Sequence, residues 1–272
     1  MIDILYLTFN RIAYTKITLP ALIENAGTDF SLTIMDNGST DGTVEYLQEM
    51  QEKYKNTIRK VLFNSKNIGI SMPTNVFWRT AKGEFVGKVD NDTLVPKNWL
   101  SRLLEAHQKS DKLGVVGGFH FDMAYVDVKE LERRVVSLEG VSLIPDAFIG
   151  GCCYLFRKSV QEKHGYLDVH PTRKTFGWTE YQQEIARSGY CNGYLYPLLN
   201  VEHFDDPVSK YNLAYTKHAD TSKISMGDKG ISNREEQLKW YIKDAKRVEM
   251  GRSLTDMGIA VSFNSFVNSS EK

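Results

Sequence analysis

Between residues 2 and 89 the chain alternates between two kinds of pattern, and that alternation constrains the fold more than any other feature. β-prone apolar runs at 2–8, 31–36, 58–63 and 84–89 are separated by helical patterns around 13–26, 42–55 and 73–81. Each gap is long enough for the right-handed crossover that joins parallel strands. The natural reading is an α/β protein with a parallel, nucleotide-binding type of sheet, covered by helices on both faces. Ligands of such sheets sit beyond the carboxyl ends of the strands. The residues just after each strand are therefore where chemistry is expected, and in this chain they are unusually polar.

Beyond residue 120 the alternation weakens. Glu130 to Arg134 is a charged, helix-like run, Ile149 to Phe156 is an apolar β-like segment entered through Gly150-Gly151, and a helix is expected from about Glu180 to Arg187. Phe204 to Asn233 has no period, which is long for a structureless loop in a compact domain and reads as a lid or a disordered stretch. A last helix is expected over Arg234 to Val248, and Asn264 to Lys272 reads as a fraying tail. The expected divisions are 1–120, 121–232 with a mobile loop at 204–233, and 233–272.

Charge and cysteines exclude several classes. The 34 Lys and Arg are matched by 34 Asp and Glu, so the counterion release that drives most nucleic-acid binding is missing. Cys152, Cys153 and Cys191 form no C-x-x-C pair, which speaks against a disulfide framework or a zinc site. The start, Met1-Ile2-Asp3-Ile4, carries an acid where a signal peptide needs positive charge, and no apolar run approaches the roughly 18 residues of a membrane span. The expectation is a cytoplasmic protein that at most touches the inner face of a membrane.

Four strand ends carry candidate chemistry. Thr8-Phe9-Asn10-Arg11 sets a hydroxyl, an amide and a guanidinium after the first strand, where they can meet a sugar, base or phosphate, or simply cap a turn. Asp36-Asn37-Gly38-Ser39-Thr40-Asp41-Gly42-Thr43 follows the second. Asp36 can accept a hydrogen bond from a base N–H or a ribose hydroxyl, whereas Ser39, Thr40 and Asp41 are also good helix caps. Asn67-Ile68-Gly69 follows the third strand, its glycine able to bring backbone amides near a ligand. Asp90-Asn91-Asp92 follows the fourth. Two carboxylates two residues apart repel unless a cation lies between them and a ligand, and Mg²⁺ or Mn²⁺ suits one or two carboxylates plus substrate phosphates. A solvated acidic turn is the bland alternative.

These four segments, in this order, resemble glycosyltransferase family 2, whose GT-A fold is a Rossmann-like mixed sheet sandwiched by helices. The resemblance covers about residues 2–205. It implies a sugar-nucleotide-binding half at 1–120 and an acceptor-binding, catalytic half at 121–232. It further implies that Asp36 contacts the nucleobase, that Asp90 lies near the ribose or metal, that Asn91 belongs to the donor-binding residues, and that Asp92 ligates the cation on the diphosphate. Thr8, Asn10, Arg11, Asn67 and Gly69 would line the nucleotide pocket, and His203 falls where the family often adds a metal ligand. Phe176-Gly177-Trp178-Thr179-Glu180 resembles the segment carrying the catalytic acid. An acidic pair is usual there, and only Glu180 remains, assigned as the base; a carboxylate beside Trp178 is expected to be desolvated and its pKa raised. The implied reaction is inverting transfer of one sugar from a nucleoside-diphosphate sugar, UDP favoured, to a glycan, lipid-linked or protein acceptor, with Mn²⁺ or Mg²⁺, in surface glycan synthesis.

Two rivals stand beside this reading. A sugar-phosphate nucleotidyltransferase needs the same sheet, metal and phosphates, but its glycine-rich basic signature is missing near the first strand. A non-catalytic nucleotide- or glycan-binding member of the fold is kept open by Thr179. Neither G-x-x-x-x-G-K-[ST], G-x-G-x-x-G nor H-E-x-x-H occurs. The Q-x-x-R-W motif of processive synthases is absent, Gln237-Leu238-Lys239-Trp240 being a near miss.

Overall fold

The computed structural model describes residues 1–212, 226–227 and 229–251. Strands β1 (Ile2–Thr8), β2 (Ser31–Asp36), β3 (Ile58–Phe63) and β4 (Phe85–Asp90) alternate with helices α1 (Ile12–Glu24), α2 (Thr43–Lys53) and α3 (Ser71–Thr80), as the alternation of the sequence predicts. Every residue of β1 is buried, as in a parallel strand covered on both faces. Pairing in the order β3-β2-β1-β4 is parallel throughout. The register sets Thr8 opposite Asp36 and Leu7 opposite Asp90. Three strand ends that are far apart in sequence therefore finish along one edge.

The sheet does not stay parallel. Strand β5 (Thr93–Leu94), helix α4 (Trp99–Lys109) and strand β6 (Leu113–Gly117) follow, then helix α5 (Val128–Arg133) and strands β7 (Val136–Leu138), β8 (Val141–Pro145) and β9 (Cys153–Arg157). β9 runs antiparallel between β4 and β6, and β10 (Cys191–Leu195), β8 and β7 complete nine strands in the order β3-β2-β1-β4-β9-β6-β10-β8-β7. The wholly parallel sheet expected from the first 90 residues is thus corrected to a mixed one, the architecture that the family resemblance implies. β6, β8 and β10 are five-residue segments, two of them containing glycine, and they leave too faint a periodicity to be read along the chain.

Helices α6 (Lys158–His164), α7 (Trp178–Arg187) and α8 (Arg234–Met250) complete the described chain, and β11 (Glu202–His203) pairs antiparallel with β5. One apolar layer gathers Leu19, Leu22, Trp99 and Leu103 on one side of the sheet. The other gathers Trp78, Phe156, Trp178 and Tyr181 with Tyr241, Ala245 and Val248 of α8. α8 is also tied down by polar contacts: the Asp122 amide donates to the Tyr241 hydroxyl at 2.6 Å, and Arg247 donates to buried Asp146 at 2.8 Å. Among the described residues no helix is long and apolar enough to cross a membrane. Residues 213–225 and 228 of the expected lid at 204–233, and all of the expected tail, lie outside the described residues.

Candidate functional site

The site begins where β1 ends. Asn10 and Arg11 both adopt left-handed backbone conformations, with φ of 53° and 62°, a strained choice for residues with a Cβ. The turn sends the Arg11 guanidinium across to the loop after β4. Nη1 donates to Asp92 Oδ2 at 2.9 Å and to Asp205 Oδ2 at 2.5 Å, and Nη2 donates to Asn91 Oδ1 at 2.9 Å. Asn10 braces the neighbouring loop instead: its amide donates to Ser39 Oγ at 2.7 Å, and its Oδ1 accepts from the Thr40 amide at 2.8 Å.

Asp36 is fully buried, and both carboxylate oxygens accept from the Ser39 amide. Burial raises its pKa despite those bonds. It stands behind the cleft wall, which Asn37 forms in its place. Asn37 donates to the Gly69 carbonyl at 2.9 Å, and Asn67 Oδ1 accepts from the Gly69 amide at 2.8 Å. Gly69 has φ of 84°, and a Cβ there would stand 2.9 Å from the Lys174 carbonyl. That close approach lets the Ile70 amide bond Lys174 O at 2.9 Å while Lys174 Nζ bonds Asn67 O at 3.0 Å. The loop after β3 is thereby stitched to the second half of the chain.

The acidic centre lies between these loops. The β5–β11 pair places His203 opposite Thr93, next to Asp92. His203 Nε2 is 3.5 Å from Asp92 Oδ2, and its Nδ1 donates to Asp206 Oδ1 at 3.0 Å. Asp206 Oδ2 in turn accepts from His120 Nδ1 at 2.9 Å. Asp90 is held by Lys88. Burial disfavours charge on all these groups, and the outcome depends on neighbours. Burial pushes the His203 imidazole down, but Asp92, Asp206 and Asp205 pull it up to about 10. Burial raises Asp92, and His203, Arg11 and Lys88 outweigh it and hold the carboxyl below its ordinary value. For Asp90 burial wins over Lys88, helped by the charge of Asp92. Asp90, Asp92, Asp205 and Asp206 thus face Arg11, Lys88, His203 and His120, so a cation held by Asp92 and His203 would take the place of the proton on His203.

Two observations test a divalent ion here. Asp92 Oδ1 is buried with no hydrogen-bond partner. The 3.5 Å between Asp92 Oδ2 and His203 Nε2 is near the roughly 3 Å between adjacent ligands of an octahedral ion with bonds of about 2.1 Å. Among the described residues no three His, Cys, Asp or Glu side chains gather closely enough to hold an ion by themselves. The donor set fits a hard cation that takes two protein ligands and the rest of its shell from phosphate oxygens and water.

The cleft has two chambers. Thr8, Arg11, Asn67, Gly69, Asp90, Asn91, Asp92 and His203 all line the first, and the Thr8 hydroxyl is buried there without a partner. Asp205 to Pro207, together with Lys229 and Ile231, close its far side. The second is walled by Gly150, Gly151, Tyr154, Trp178 and Thr179. Both share Ile70, Asp90, Thr175, His203 and Asp206, so a ligand in one chamber abuts a ligand in the other.

Of the expected site residues, Asn10, Asp36 and Glu180 do not line this cleft. The desolvated carboxylate expected at Glu180 is corrected: Trp178 turns inward and stacks on Tyr154 at 4.1 Å, whereas Glu180 is exposed. Two residues along a helix point to nearly opposite sides. Asp206 and His120 went unassigned in the sequence. The Asp205-Asp206-Pro207 run was visible, but a pair 86 residues apart leaves no local pattern.

The family described as "Glycosyl transferase family 2" matches residues 3–165. An uncharacterized glycosyltransferase of Nostoc sp. is 26% identical over 145 residues, covering 53% of this chain and 43% of that protein. Chondroitin synthase of Escherichia coli is 28% identical over 116 residues, 43% of this chain and 16% of that protein. The chain spans less than half the length of these curated relatives. Among solved structures, a mannosyltransferase from Pyrobaculum calidifontis in complex with GDP-Man and Mn²⁺ gives a TM-score of 0.60 at 16% identity, covering 99% of this chain and 78% of that one. Staphylococcus aureus TarS 1–349 in complex with UDP-GlcNAc gives 0.59 at 16% identity, covering 97% and 77%. At such identities the likeness is one of fold.

Proposed function

The chain belongs to glycosyl transferase family 2, and we propose that it moves one sugar, with inversion, from a nucleoside-diphosphate sugar to an acceptor hydroxyl during surface glycan synthesis. The observation that carries this reading is the convergence of Thr8, Arg11, Asp90, Asp92 and His203 on a single chamber that opens into a second one. The solved relatives with GDP-Man or UDP-GlcNAc support a sugar nucleotide as donor, and we take the UDP form as the first to test.

In this proposal the partnerless Thr8 hydroxyl, with Asn37 and Asn67, receives the nucleoside, and Arg11 faces the diphosphate. Asp92 and His203 would hold Mn²⁺ or Mg²⁺, which when bound offsets the charge that grows on the departing diphosphate. The acceptor enters through the second chamber, and Glu180 takes its proton as the hydroxyl attacks the opposite face of the sugar. Glu180 is exposed and lines neither chamber, so this role requires its carboxylate to reach the second chamber from the start of α7 once the acceptor is bound. Asp205 to Pro207, Lys229 and Ile231, which close the far side of the first chamber, would shield the bound donor from water.

The test is transfer of a mass-tagged sugar from UDP-, GDP- and dTDP-sugars with and without Mn²⁺. Transfer from one of them supports the reading. Formation of a sugar nucleotide from NTP and sugar phosphate would replace it with a nucleotidyltransferase. The exposure of Glu180 favours one second reading, a binding protein of this fold, which tight UDP binding without transfer or hydrolysis would establish.

A further inference from the structure

The second chamber carries unsatisfied hydrogen-bond donors at its floor. Trp178 and Tyr154 are 8% and 0% exposed, both line the chamber, and neither Trp178 Nε1 nor the Tyr154 hydroxyl has a hydrogen-bond partner. The indole N–H can only donate, so its missing partner is an acceptor atom. Gly151 keeps the approach open: a Cβ at that position would stand 3.0 Å from Trp178 Cδ1 and 3.2 Å from Nε1. The chamber measures about 820 Å³, within the range of clefts that bury small organic ligands.

The rim is cationic in a chain with no net charge. Arg173 and Lys243 line the chamber, and no ion pair to a carboxylate is found for them among the described residues, whereas Lys229, which also lines it, feels Asp244, Asp206 and Asp205. Arg173 lies over the Phe176 ring and Lys229 over the Trp240 ring at 3.9 Å. Lys246 and Arg247 also line it, but Glu249 and the pair Asp146 and Asp244 neutralise them. The chamber's own carboxylates are engaged as well, Asp90 by Lys88, Asp206 by two histidines and Asp244 by Arg247. What stays available to a ligand is two cations, Arg173 and Lys243, and two buried donors.

We infer that the acceptor is an acidic glycan, with an oxyanion held at the Arg173 and Lys243 rim and an adjoining oxygen accepting from the Trp178 indole. This rests on reading the second chamber as the acceptor side. The oxyanion is a uronate carboxylate or a phosphodiester, and both sources share the geometry of several oxygens facing cationic donors.

The test uses the full chain loaded with UDP and follows quenching of tryptophan fluorescence, since Trp178 and Trp240 line the chamber. Three acceptors of equal length are titrated: a neutral oligosaccharide, a hexuronate-containing one and a polyol-phosphate oligomer. The expected result is at least about tenfold tighter binding of one acidic acceptor than of the neutral one, with the gap shrinking as salt rises. Whichever acidic acceptor wins identifies the source of the oxyanion. Arg173→Gln combined with Lys243→Gln brings the acidic-to-neutral ratio toward one, and Trp178→Phe, which keeps the ring and loses the donor, weakens acidic binding several-fold. Equal or tighter binding of the neutral acceptor, no acceptor binding at all, or a preference that survives the double substitution overturns the inference. UDP binding is followed separately by thermal shift; its failure would sink the glycosyltransferase reading and leave the acceptor titration to be judged by itself.

Discussion

Replacing Arg11 by glutamine tests the electrostatic design of the centre. The native guanidinium makes three hydrogen bonds of 2.5 to 2.9 Å, to Asp92, Asp205 and Asn91, and the Arg11, Asp92 and Asp205 side chains are only 14%, 8% and 14% exposed. Removing one partner of a buried ion pair costs about 3–5 kcal/mol because the other charge is left unpaired. Here two carboxylates lose a cation, but His203 still faces Asp92 and glutamine can keep one hydrogen bond, which places the expected loss near the lower figure, about 3 kcal/mol. For a chain of this size that is a fall in Tm of roughly 10 °C. Urea denaturation at pH 7 measures the loss directly. Arg11→Lys should recover little, since a point charge cannot fork between Asp92, Asp205 and Asn91. Asp205→Asn in the Arg11→Gln background should be far less costly than in the native chain, a coupling of about 1–3 kcal/mol in a double-mutant cycle. Stability of Arg11→Gln within about 0.5 kcal/mol of native, the range of an ordinary surface change, would refute the reasoning.

Asp92→Ala should abolish the Mn²⁺-dependent part of the thermal shift produced by a sugar nucleotide; an unchanged shift would remove Asp92 from the metal site. Glu180→Gln should lower transfer about 10²–10⁴-fold with donor binding retained, and undiminished transfer would reject Glu180 as the base. His107 supplies a pH test away from the cleft. Burial lowers its pKa from 6.5 to about 4, although Nε2 donates to the Leu155 carbonyl at 2.9 Å. The unfolded chain therefore binds the proton more readily, and the stabilisation is present above about 6.5 and lost as pH falls through about 4. The loss is on the order of 3 kcal/mol. His107→Gln should flatten that part of the urea-stability profile; an equal slope in the variant would show that other groups cause it.

The first four strands and the helices between them were legible because each is a local pattern: an apolar run, a turn and a helical repeat within about thirty residues. The edge on which Thr8, Asp36 and Asp90 meet was legible too, since parallel strands of similar length that share a register finish together. The later strands were not, because five-residue segments buried between neighbours carry almost no period.

Composition and order along the chain determined the fold class, the lack of a nucleic-acid signature and eight residues of the first chamber, from Thr8 to His203. Only the tertiary structure decided which carboxylates meet. Arg11 bonds Asp205 across 194 positions and His120 bonds Asp206 across 86, separations at which nothing local records the pairing. It also decided the different fates of Trp178 and Glu180, because the phase of a helix against its sheet is set by packing. Trp178 buries a large ring against Tyr154, and once that face is chosen Glu180 is turned to solvent.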